Sequence, residues 1–242
     1  MHTRSPRTRR GRSLVRGNLL TSLLLVFPLV LFYEVGVLFT HVMNGADFIT
    51  QSLIHLIGLK GFIIVQASLV VGFLGVAWYL RHREQFHIRL FIPVLLESAI
   101  FALTMGTLIV FLMVDLLGID PRLATANPLA KASFFDRLVL AVGAGVHEEL
   151  VFRLILLGGL IFLGERLLGF RRWVAVALAF ALSSILFSAA HHVGPLGESF
   201  RMGAFAYRIM AGLFFGALFQ FRGFAIAVYT HALYDIYVFA LM

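Results

Sequence analysis

The chain has no cysteine. That excludes disulfides, thiolate-held metals and thiol nucleophiles. Charge is scarce too: Asp, Glu, Lys and Arg make up 13% of the 242 residues, about half the share in a soluble domain. Only two tryptophans and six prolines are present. What replaces them is apolar: hydrophobic residues reach 60% and the mean hydropathy is +0.95. Such a composition excludes an ordinary soluble domain and specifies an all-α, polytopic transmembrane bundle of about seven to eight helices. Helices are required because a backbone amide in lipid finds no partner outside its own segment. The formal net charge is +8. In a soluble protein that excess would suggest a nucleic-acid partner; here the basic residues flank apolar runs, so the bilayer is the partner and nucleic acid is not.

The order of the segments is readable from hydropathy. Residues 1–16 form a basic tail carrying Arg4, Arg7, Arg9, Arg10, Arg12 and Arg16. No A-x-A-like cleavage site closes the following run, 18–40, so it is expected to stay as a first helix. Further runs cover 61–80, 91–118 (bent near Pro93), 134–164, 173–194, 204–221 and 223–242, against roughly 20 residues needed to span. The stretch 47–58 is too short to span and suits the interface. The organisation is then a cytoplasmic tail (1–16), an N-terminal set of helices with a loop (17–133), and a C-terminal helical unit (134–242). With the N-terminus inside, the inner segments hold Arg81, Arg83, Arg89, Arg166, Arg171, Arg172 and Arg222 besides the tail. The outer ones hold Lys60, Arg122, Lys131 and Arg201, with Arg137 and Arg208 near helix ends. That bias predicts a cytoplasmic N-terminus and an outward C-terminus.

Three polar clusters interrupt the apolar runs. The first is "HEELVFR", His147 to Arg153. Glu149 and Arg153 stand at i and i+4 on one helix face and can pair. Glu148 is rotated about 100° away, so it has no partner within its own helix. An intramembrane carboxylate of that kind marks a functional site; the plainer reading is an ion pair bracing two helices, with Glu148 facing a wet crevice. A zincin needs H-E-x-x-H, and Val151 occupies the second His position. The second cluster is "FSAAHH": Phe187 and His191 are four apart, so the ring packs beneath the imidazole, while His192 points elsewhere. The third is "HALYD": His231 and Asp235 share a face, where the carboxylate can accept from one imidazole nitrogen and fix the tautomer. Each cluster alone could be structural or solvated. Together they are best satisfied around one cavity, because each buried polar group costs about a kcal/mol or more unless another meets it. A glutamate beside a histidine can bind and deprotonate a water, and a second histidine can donate to a developing oxyanion. One tension stands: counted from the inner helix ends, Glu148 and His191 lie about 25 Å deep and His231 only about 12 Å.

"EELVFR", "FSAAH" and "HALYD" match E-E-x-x-x-R, F-x-x-x-H and H-x-x-x-N/D, in order and on separate spans. Over roughly residues 134–242 the chain resembles the CPBP family of intramembrane proteases (type II CAAX prenyl protease, or Abi, family). The resemblance implies a peptidase in which Glu148, with His191, acts on water as general base. His231 and Asp235 would form the oxyanion side, and Glu149 and Arg153, with Phe187, would support them. The family has been called both a glutamate protease and a metalloprotease. No cofactor is favoured; a zinc site would use Glu148, His191 and His231, since zinc wants three protein ligands. Where better-understood members carry Asn, this chain has Asp235. An ionised carboxylate cannot donate to an oxyanion, so Asp235 must be protonated or must serve by orienting His231. The expected substrate is a peptide or membrane-anchored protein. The expected location is a bacterial cytoplasmic (inner) membrane, where relatives include bacteriocin-maturation and immunity proteins and myxosortase-like enzymes. The reading from another class is a membrane scaffold or an ion- or proton-binding transport component. Transporters more often show inverted halves, and none is visible.

Overall fold

The computed structural model describes residues 18–40, 48–120, 132–193 and 197–241. The basic tail (1–16) lies outside the described residues, as does 121–131 of the long loop. All seven expected runs are helical, and no strand occurs among the described residues.

Helix α1 (Leu19–Gly36) begins at Asn18, whose side chain accepts from Thr21 N at 2.8 Å. The turn after α2 completes the cap: Glu84 Oε2 accepts from Leu20 N at 2.8 Å, and Asn18 Nδ2 donates to Gln85 O at 2.7 Å. The bonds from Thr21 N and Leu20 N satisfy amides that a helix start leaves orphaned. Helix α2 (Phe48–Leu80) contains a kink at Gly58. The kink separates the short 48–57 stretch, expected at the interface, from the span that follows it. Helix α3 (Phe91–Phe111) holds Pro93 in its first turn, where the missing N–H has no consequence. The departure from α geometry comes instead at its other end, in a π-helical turn, Leu112–Leu116.

Helix α4 (Phe134–Glu148) opens with a capping box between Ser133 and Asp136. It passes without a break into a π-helical stretch, Glu149–Leu157, and then α5 (Gly158–Arg166). Helices α6 (Arg172–Ala190), α7 (Met202–Arg222) and α8 (Phe224–Leu241) follow. One residue joins the last two: Gly223, at φ 101°, a value that L side chains resist.

The segments Leu19–Gly36, Ile88–Leu116, Arg172–Ala190 and Met202–Arg222 are long and apolar enough to cross a membrane. The outward face of α3 shows why: Ile92, Leu96, Ile100, Leu103 and Phe111 are all exposed, as lipid-facing side chains should be. Inside, Tyr33, Met105, Ile109, Met113, Val139, Leu157, Phe215 and Ile226 are almost completely buried. Helix α8 is central, packed against α4 and α3, with α1 behind α4 and α6 against α7. Small residues set these approaches, as is usual between membrane helices. A Cβ on Gly145 would lie 2.7 Å from the Ala232 backbone nitrogen, so α4 and α8 touch through their main chains. Gly212 lies against Ser184 in the same way.

Candidate active site

The α4–α8 contact brings two polar segments face to face. Glu148 is the last residue of α4 and Glu149 the first of the π-helical stretch. π-Helical turns inside α-helices are rare and frequent at functional sites. Their two carboxylates have different surroundings. Glu149 is fully buried, and its Oε1 lies 3.2 Å from Arg153 Nη1 and 2.8 Å from His231 Nδ1. Glu148 makes no contact that short. Its Oε1 is 3.9 Å from His191 Nε2, and its Oε2 is 3.8 Å from His231 Nε2. Oε2 is buried without a hydrogen-bond partner. Separations near 3.8 Å are too long for a direct bond and short enough for one bridging water.

The two imidazoles are oriented by their far nitrogens. His191 Nδ1 donates to Phe187 O, one turn earlier, at 2.9 Å. A carbonyl only accepts, so in the neutral ring the lone pair is on Nε2, facing Glu148. His231 Nδ1 donates to Glu149, and its Nε2 faces Glu148 and Asp235 Oδ2, the latter at 3.6 Å. This corrects the expectation that Asp235 fixes the His231 tautomer. The reason is directional: the i+4 carboxylate reaches the Nε2 side of the ring, while Nδ1 points across the helix interface to Glu149.

Aromatic rings wall the cluster. Phe187 meets His191 edge-on at 5.1 Å, Phe152 at 5.3 Å and His231 at 6.2 Å. Phe215 stacks on His231 at 4.4 Å and 17°. The Arg153 guanidinium carbon is 4.2 Å from the Phe187 ring centre and 5.2 Å from that of Phe215. A desolvated cation held against aromatic faces gains about 2 kcal/mol, which offsets the absence of hydrogen-bond partners at its terminal nitrogens.

Glu148, His191, His231 and Asp235 are therefore adjacent, with Glu149, Arg153 and Phe187 behind them. His192 is not turned into this group. Its Nδ1 donates to Glu198 O at 3.0 Å, and Glu198 N donates to His191 O at 2.9 Å. Arg208 Nη2 completes the anchor on Glu198 Oε1 at 2.6 Å. The sequence reading did not find Phe215, Phe152 or Gly145. Phe215 is one of 25 phenylalanines, and its stacking partner is on another helix, so spacing gave no signal.

Zinc requires ligand atoms about 2.0–2.2 Å from one point. Among the described residues, no three His, Asp or Glu side chains are so arranged. What the arrangement offers is a carboxylate between two imidazole Nε2 atoms, with a second carboxylate beside one of them.

Residues 130–237 match the family model for type II CAAX prenyl endopeptidase Rce1-like proteins. The matched segment holds all the residues just described and excludes α1, α2 and α3. No curated protein and no solved structure matches the chain.

Proposed function

From the match of residues 130–237 to the Rce1-like family model, we propose that this integral membrane protein is an endopeptidase that hydrolyses a peptide bond within the bilayer, with Glu148 as the base. The observation that carries the reading is the division between the glutamates. Glu149 is spent on Arg153 and His231, while the two oxygens of Glu148 face imidazole nitrogens at 3.9 and 3.8 Å, separations that one water can bridge.

The chemistry follows from those positions. A water held between Glu148 and His191 loses a proton to Glu148 as its oxygen attacks the substrate carbonyl. His231, as the imidazolium in which both ring nitrogens carry a proton, is held through Nδ1 by Glu149 and donates from Nε2 to the carbonyl oxygen as negative charge develops there. Collapse of the tetrahedral adduct breaks the C–N bond, and the proton on Glu148 passes to the departing amine. Water, a peptide and the side chains suffice, and no step uses a metal. The substrate is a peptide or a membrane-anchored protein.

The test is cleavage of a fluorogenic peptide library by the purified protein in detergent, run in ¹⁸O-labelled water. One labelled oxygen should enter the new carboxyl group, and a chelator should leave the rate unchanged. Loss of activity with chelator, restored by zinc, would defeat the metal-free mechanism and make Glu148, His191 and His231 ligands. Absence of cleavage across the library, with the protein folded, would count against a peptidase altogether.

Asp235→Asn separates two roles on the same assay. With Glu149 orienting His231, the variant should keep its rate within roughly tenfold. A loss approaching the ~10⁴ seen when a triad aspartate becomes Asn would return the orienting role to Asp235.

A further inference from the structure

The two ends of the bundle differ in a way that bears on how a substrate reaches Glu148. Both tryptophans lie at one end. Trp78 is near the C-terminus of α2, with the Arg81 guanidinium 3.2 Å over its ring, and Arg83 lies over Tyr79. Trp173 opens α6 beside Arg166, Arg171 and Arg172. Both indoles are largely exposed. The pairing of Arg222 with Glu97, in the second turn of α3, brings the end of α7 to the same end of the bundle as the start of α3. Asn18 is bound to Gln85 at this same end, and the arginines of the tail precede it in sequence. Exposed tryptophan with arginine marks a membrane–water interface, and the arginine excess marks it as cytoplasmic.

The site lies far from that end. From Arg166 back to Glu148 the helix would rise about 27 Å at the α-helical 1.5 Å per residue, somewhat less with its π-helical stretch, against a hydrocarbon core of about 30 Å. His191 caps α6 at the opposite end. Exposure follows the same axis. Toward the arginine-rich end, the side chains of Glu149 and Arg153 are 0% and 2% accessible, with the guanidinium covered by the Phe187 and Phe215 rings. Glu148 and His231 reach 8% and 6%. Farther along, His191 is at 17%, Asp235 at 19% and Glu198 at 35%. The polar groups thus form a lane sealed at the arginine-rich end and opening at the other.

We infer that the site is entered from the face opposite the arginine-rich one, so that its substrate is a peptide segment on the non-cytoplasmic side: an exported peptide, or the outer juxtamembrane part of a membrane protein. The word substrate rests on the peptidase reading; the direction of the lane does not.

The natural absence of cysteine makes the test direct. Glu198→Cys places a thiol at the mouth of the lane, Asp235→Cys one inside it, and His82→Cys one at the arginine-rich end. Each is exposed to a charged, membrane-impermeant methanethiosulfonate in right-side-out spheroplasts, before and after permeabilisation. Glu198→Cys and Asp235→Cys should react in intact spheroplasts, and His82→Cys only after permeabilisation. If Asp235→Cys does not accumulate, His191→Cys reports the lane instead. Reaction of the lane thiol only after permeabilisation, or of His82→Cys in intact spheroplasts, would overturn the inference. Labelling needs no turnover, so failure of the peptide-cleavage assay would bear on the proposed function alone.

Discussion

Glu148→Gln is expected to lower the cleavage rate by roughly 10²–10⁴, the contribution of a positioned general base, while leaving abundance and thermal stability near wild type. Glutamine has nearly the same volume, and no direct hydrogen bond is lost: the nearest imidazole nitrogens are 3.8 and 3.9 Å away. What disappears is the ability to take a proton from water. Single-turnover rates on a cleaved peptide, paired with a melting curve of the same preparation, separate the two effects. A variant that melts early yet cleaves normally per folded molecule would remove Glu148 from the chemistry.

Arg153→Ala is expected to show the opposite pattern, with loss of the protein dominating loss of rate. The guanidinium is 2% exposed, and its carboxylate partner is fully buried. Removing it strands that carboxylate in a medium that solvates charge poorly, at a cost of about 3–5 kcal/mol. The faces of Phe187 and Phe215 also lose the cation resting on them. A loss of that size is a large part of the ~5–15 kcal/mol that separates folded from unfolded domains. Steady-state abundance and the melting temperature in detergent are the measurements. Normal abundance here, with Glu148→Gln failing to accumulate, would show that the two glutamates have been assigned backwards.

Much of this architecture was legible in the sequence because it follows from period and composition. The apolar runs fixed where helices lie, and the i, i+4 spacings showed that Glu149 could meet Arg153 and that Phe187 could support His191. What spacing could not show is who meets whom across helices. Asp235 is the nearest carboxylate to His231 along the chain, yet Glu149, 82 residues away, accepts the hydrogen bond from its Nδ1. The depth mismatch had a similar origin. It assumed that every helix starts at the membrane surface. Arg222 pairs with Glu97 in the second turn of α3, so the α7–α8 turn is inset and α8 begins within the bundle. That shift, about 9 Å at 1.5 Å per residue, closes most of the difference. The π-helical stretch after Glu148 left no recognisable mark in the residue pattern.

The main-chain contact between Gly145 and Ala232 has a consequence for the membranes in which the site can work. A bilayer that is too thin or too thick is accommodated by tilting helices, at fractions of a kcal/mol per ångström of mismatch. Helices separated by long side chains can absorb such tilt by sliding or repacking. Here Gly145 precedes Glu148 by less than one turn and Ala232 follows His231 directly, with no side chain between the two backbones to compress or rearrange. The gap between carboxylate and imidazole is therefore set by the hard contact of two main chains, and the pair tilts as one body. Lipid acyl-chain length should alter how the whole molecule sits in the bilayer while leaving that gap unchanged.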